Sequence, residues 1–318
     1  MQQQILVDRS KLLLVKLLCY LAISICLLGV YTKSGAQHLM LTDPSSFSPE
    51  DDDPMRTERI DPLNLIDNIY SVSAVSHYPS YLITSSEGHF LIDTSLAELA
   101  PDIAENIKKL GYKLEDVKYL LTLHAHRDHV GGHAYMKEMT GSTVMAMAGD
   151  AHVMESGGET DFRDGGIWAP VKVDRIITDL EKIQLGDTVL TAHLTPGHSK
   201  GCTTFSMVAE ENGKKYNVAF FCGMRMNPEE ALVGNPDYLN MPEDIAYGFA
   251  KLKALPVDVF LAGHGYWFNF KDKIELKKQG ASPNPFIDPI SYRWIVDGQE
   301  RAFIERLRIE RGLVSPQP

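Results

Sequence analysis

Short apolar runs, some alternating and some unbroken, recur between residues 69 and 261, and longer stretches repeat their apolar residues at helical spacing. Ile69–Val75, Tyr81–Thr84 and His89–Asp93 predict strands, the last two joined by the turn Ser85-Ser86-Glu87-Gly88. Ser95–Leu110 predicts a helix that stops at Gly111. Lys118–Leu123 predicts the next strand. Further strands are expected at Asp174–Ile177, Lys182–Leu185, Thr188–Leu194, Thr203–Ala209 and Tyr216–Phe221, with Asn212-Gly213 as the hairpin turn between the last two. Helices are expected at Pro242–Leu255 and Pro289–Arg311, separated by a strand at Val257–Leu261. Strands and helices are mixed throughout and no internal repeat appears, so the class is α/β or α+β.

The 318 residues are 44% hydrophobic and 23% charged, enough apolar material for a sizeable core. A net charge of −11 without any basic run excludes a nucleic-acid partner, because nothing is available to neutralise phosphates. Residues 1–36 read as a signal peptide: Arg9, Lys11 and Lys16, then the apolar run Leu17–Tyr31, then Ser34-Gly35-Ala36 before cleavage at Gln37. The run is shorter than the ~20 residues that span a bilayer, which argues against an uncleaved anchor. Residues 37–62 are polar and proline-dotted and read as an N-terminal arm; the folded domain is 63–318. Export places the protein in the periplasm or outside the cell, without stable membrane association after cleavage. There Cys202 and Cys222, at the two outer ends of the expected hairpin, form either a disulfide or two buried thiols.

The chemistry concentrates in Leu123-His124-Ala125-His126-Arg127-Asp128-His129-Val130-Gly131-Gly132. Residues two apart on an extended strand end point the same way, so His124 and His126 can grip one ion. The chain then turns at Asp128-His129, whose side chains can face a second ion beside it. Downstream, Thr195–Gly201 carries His198 and Ala262-Gly263-His264-Gly265 carries His264, each in a loop after a strand. His124, His126 and His198 make a three-nitrogen site of the composition expected for catalytic zinc, and Asp128, His129 and His264 a harder second site. The remaining histidines lack such spacing, with His193 the one nearest to joining the site.

Through His-X-His-X-Asp-His and the two later histidines, the chain resembles the metallo-β-lactamase superfamily over residues 68–308. The resemblance implies a four-layer αβ/βα sandwich with two zinc ions at the edge of its central sheets. Many hydrolases of that superfamily bridge the metals with an aspartate after the third histidine. Here the place reads Phe221-Cys222-Gly223-Met224, with no carboxylate. That, with Glu155-Ser156-Gly157-Gly158, Asp161-Phe162 and Asn284–Pro289, resembles the third subclass of class B β-lactamases. The implied activity is zinc-dependent opening of the β-lactam amide of penicillins, cephalosporins and carbapenems by a monomer, giving antibiotic resistance. Asp128 acts with a zinc-held hydroxide, and Met224, Arg225 and Met226 contact substrate where relatives carry serines. A dizinc hydrolase of another ester, thioester or lactone is the alternative.

Overall fold

The computed structural model describes residues 53–163, 166–227 and 230–313; the expected signal peptide and most of the arm lie outside them. From the arm, Asp53 caps a single helical turn, α1 (Pro54–Thr57), by accepting from the Met55 amide. The chain then enters a seven-stranded sheet ordered as in sequence: β1 (Leu63–Ile66), β2 (Ile69–Ser71), β3 (Tyr81–Ser85), β4 (Gly88–Ile92), β5 (Val117–Leu121), β6 (Thr143–Met147) and β7 (Arg175–Ile177). β1 to β4 pair antiparallel, and β4 to β7 pair parallel. The parallel crossovers carry α2 (Ala100–Lys109), α3 (Arg127–Val130), α4 (His133–Thr140) and α5 (Ala148–Ser156).

A second sheet holds β8 (Lys182–Leu185), β9 (Thr188–Leu194), β10 (Thr203–Glu211), β11 (Lys214–Phe221) and β12 (Val259–Ala262), in the order 12-11-10-9-8. α6 (Met241–Ala254), α7 (Phe270–Lys278) and α8 (Pro289–Glu310) belong to this half. The strand pattern explains the layering. In β3, β4 and β5 the residues Tyr81, Ile83, Phe90, Ile92 and Leu121 point into one core, shared with Phe205, Phe220, Phe249 and Tyr292. Their neighbours Leu82, Leu91 and Leu120 point into another core with Ile103, Ile107 and Met136 of α2 and α4. Both faces of these strands are therefore buried, which is why they read as unbroken apolar runs. The result is the expected helix–sheet–sheet–helix sandwich, with two mixed sheets. Among the described residues no helix is long and apolar enough to cross a membrane.

Several elements went unread in the sequence, α1, β1 and α3 among them. β6 is the all-apolar run Val144-Met145-Ala146-Met147 after one threonine, a pattern that short buried strands share with helices. α4, α5 and α7 have weak amphipathic patterns, because α5 is buried on several sides and α7 is rich in lysine. The helix expected from Ser95 starts instead as a 3-10 turn, Ala97–Leu99, and becomes α-helical at Ala100 with Pro101 in its first turn.

Candidate metal centre

The two metal sets assemble where strand ends of both sheets meet. Beyond β5 the chain bends at Leu123, Ala125 and His126, with the His126 amide donating to the His124 carbonyl at 3.1 Å, and α3 begins at Arg127. This tight turn, rather than the alternation expected of an extended strand end, brings His124 and His126 together, with ring centroids 4.7 Å apart. His198, in the loop between β9 and β10, closes on them at 4.5 and 4.8 Å. Candidate ligand atoms of His124, His126 and His198 all lie within 4.8 Å of one another.

The outer nitrogens of these histidines meet different neighbours. His198 Nδ1 lies 2.7 Å from the Arg225 carbonyl oxygen. His126 Nε2 faces Asp161 Oδ2 at 3.3 Å, leaving Nδ1 for the site. His124 Nδ1 lies 3.6 Å from Cys222 Sγ, and its Nε2 is fully buried with no protein partner. His129 Nδ1 sits 2.6 Å from Asp93 Oδ2, and Asp93 Oδ1 accepts from the Leu123 amide. A carboxylate behind an imidazole, as Asp93 stands behind His129, fixes which nitrogen keeps the proton and strengthens the other as a ligand.

In the second set, His129 Nε2 and His264 Nε2 are 3.4 Å apart, and each is 3.7 Å from Asp128 Oδ2. An ion held tetrahedrally at about 2.0–2.1 Å has ligand atoms about 3.3–3.4 Å apart, so the triangle fits zinc. The unpartnered His124 Nε2 makes the same point for the first set, since a buried nitrogen without a donor or acceptor otherwise costs free energy. Burial, then the imidazoles of His129 and His198, hold His124 well below the usual histidine range. Burial also lowers His264, against the pull of Asp128. Burial alone would raise Asp128, but His129 and His264 outweigh it and keep this carboxyl ionised well below its usual range. Neutral imidazoles and an ionised carboxylate are the forms that bind metal.

The backbone is shaped around these groups. A Cβ on Gly263 would meet His129 Cε1 at 2.7 Å, so only glycine lets the strand leading to His264 pass the ring. Asp150, from α5, accepts from the Ala125 amide at 2.9 Å, the Ser199 hydroxyl at 2.8 Å and the Gly201 amide at 2.7 Å. One buried carboxylate thus ties the His124/His126 segment to the His198 loop.

The family model described as "Metallo-beta-lactamase superfamily" matches residues 75–207. The native FEZ-1 metallo-β-lactamase from Legionella gormanii is similar at 36% identity and a TM-score of 0.77, over 80% of this chain and 97% of that one. The chain belongs to the metallo-β-lactamase superfamily. BJP-1, a subclass B3 metallo-β-lactamase of Bradyrhizobium japonicum, is similar at 35% identity and a TM-score of 0.75, over 83% and 99%. A hydroxyacylglutathione hydrolase from Rhodospirillum rubrum is 27% identical over 158 residues, 49% of this chain and 50% of that protein. The chain spans about half the length of the curated relatives it matches.

As a member of the superfamily with both metal sets assembled, the protein is a metal-dependent hydrolase of dizinc type. The structure brings together all six expected ligands and joins Cys202 to Cys222, whose Cα atoms are 6.0 Å apart. It corrects the expectation for Met224. That side chain is 1% exposed and packs beside Gly248, so it offers nothing to a substrate. Met226 is half-buried and packs against the same core. Arg225 stays at the site, its carbonyl on His198 and its side chain hydrogen-bonded to Tyr266 beside His264. His193 does not approach the metals; its Nε2 pairs with Ser206 at 2.8 Å across β9 and β10. Asp93, Asp150, Asp161 as a partner of His126, and Arg163 were missed. Asp161 had a signal, lying in the loop that resembles the subclass; the others are single charged residues brought in by distant segments.

Proposed function

We propose that this hydrolase is an exported zinc β-lactamase that opens the four-membered cyclic amide of β-lactams and so confers antibiotic resistance. The observation that carries the reading is the segment after β11. Cys222 is bonded to Cys202, Gly223 lies with φ +106° against the Trp267 ring, and Met224 is turned into the core. The stretch Cys222–Met226 supplies no carboxylate to lie between the two sets, and His129 completes the second one. Similarity to metallo-β-lactamases over 97–99% of their length supports the same reading.

His124, His126 and His198 would hold one zinc, and Asp128, His129 and His264 the other. Bound there, zinc lowers the pKa of water from 15.7 towards about 7 and polarises a carbonyl oxygen. The chain's own part is orientation. Asp128, kept ionised by His129 and His264, can accept a hydrogen bond from the attacking water with the oxygen not facing those rings. Arg225, beside Tyr266 at the second set, offers a guanidinium to the carboxylate next to the lactam nitrogen. Export would place the enzyme where β-lactams arrive, and the oxidised cysteine pair agrees with that compartment.

The second reading is a thioester or ester hydrolase, and the similarity to a hydroxyacylglutathione hydrolase favours it. Comparing kcat/KM for a carbapenem, a chromogenic cephalosporin and a hydroxyacyl-glutathione thioester on the zinc-loaded protein separates the two. The β-lactamase reading expects the lactams to lead by at least about 100-fold. A thioester lead reverses the assignment.

A further inference from the structure

Among the site histidines, only His198 faces two mutually exclusive partners at its outer nitrogen. The Arg225 carbonyl oxygen, 2.7 Å from Nδ1, can only accept. Arg163 Nη1, 2.8 Å from the same atom, can only donate. His129 and His126 have no such conflict, since carboxylates stand behind both. Arg163 is also fixed in place. Its side chain is 2% exposed, its Nε lies 2.5 Å from Glu230 Oε1, Nη2 donates to the Gly197 carbonyl at 3.4 Å, and its guanidinium lies 5.1 Å from the centre of the Phe162 ring.

The two partners select different tautomers of the neutral ring. With the proton on Nδ1, His198 donates to Arg225 and its Nε2 lone pair faces His124 and His126, ready for metal. With the proton on Nε2, Nδ1 accepts from Arg163 and the nitrogen facing the site is blocked. We infer that Arg163, locked by Glu230, is a positioning residue that stabilises the metal-blocked tautomer of His198 and weakens loading of the first site. Removing a partner behind a metal-bound histidine ordinarily costs 10–100-fold in affinity. Here the sign is reversed, because the partner competes with the metal.

The inference rests on the dizinc reading of this site. Its test is ¹⁵N NMR of His198 in chelator-stripped full chain, followed through a zinc titration against a competing chelator. Parent, Arg163→Lys and the double variant Arg163→Met/Glu230→Gln are compared. Lysine keeps a charge for Glu230 but lacks the second arm that reaches His198. The parent should show the Nε2–H tautomer without metal and both variants the Nδ1–H tautomer. First-site zinc affinity should rise about tenfold in both. If the double variant does not fold, Arg163→Lys decides alone. A metal-free parent already in the Nδ1–H tautomer, or variant affinities within about twofold of a parent that loads two zincs, overturns the inference alone. A parent whose first site takes no zinc overturns the dizinc reading, and the inference with it.

Discussion

Asp150 is the residue whose loss should be felt furthest from its own side chain. It is 2% exposed and takes three hydrogen bonds, from Ala125, Ser199 and Gly201, at 2.7–2.9 Å. In Asp150→Asn the amide oxygen can keep Ala125 and Ser199, but its NH2 then meets the Gly201 N–H. Losing one charge-assisted bond and stranding a buried donor costs about 2–4 kcal/mol. Relief of burying a charge, the main cause that raises the Asp150 pKa, returns part of that, leaving about 2 kcal/mol. For a chain of this size the Tm should fall by about 4–8 °C. Because Asp150 couples the His124/His126 segment to the His198 loop, first-site zinc affinity should fall about tenfold while the second site holds. Differential scanning fluorimetry and zinc competition measure both. A Tm within about 1 °C of the parent with unchanged affinity would refute the claim that this carboxylate ties the two ligand segments.

His133 sits between Thr94 and Thr122 with its pKa pushed down by burial to about 3, against 6.5 when unfolded. The unfolded chain therefore binds the extra proton below pH 6.5, and stability drains as pH falls from there towards 3; at pH 5 the loss is about 2 kcal/mol. Urea unfolding at pH 7 and pH 5 should show a drop smaller by about that amount in His133→Asn, whereas equal drops would contradict it. Reducing the Cys202–Cys222 bond, which closes a separation of 20 residues, should lower the Tm by about 6–12 °C, and a shift near zero would show that the bond constrains little. Asp161→Ala should weaken the first zinc about tenfold by freeing His126, visible in zinc competition; unchanged binding would leave Asp161 no role behind that ring.

The ligands were legible because the signal is local. His124, His126, Asp128 and His129 lie within six residues, and His198 and His264 each follow a readable strand. Their supports were not. Asp93 and Asp150 come from neighbouring strand and helix ends, and nothing in a lone aspartate says that it faces a histidine 36 residues on, as Asp93 does His129. Arg163 gains its meaning only when two loops meet over His198. Met224 went the wrong way for a related reason. After β11 the chain is irregular, Gly223 takes φ +106°, and the alternation that tells in from out is lost. β6 was missed because a strand buried on both faces carries no alternation at all.

Under the proposed function, the two zinc sets, with Asp128 in the second, open the β-lactam amide. The most direct measurement is hydrolysis of a carbapenem and a chromogenic cephalosporin by zinc-loaded protein, beside chelator-stripped protein and Asp128→Ala. Turnover should vanish without zinc and fall at least about 100-fold in Asp128→Ala. No β-lactam turnover from protein shown by metal analysis to hold two zincs would contradict it.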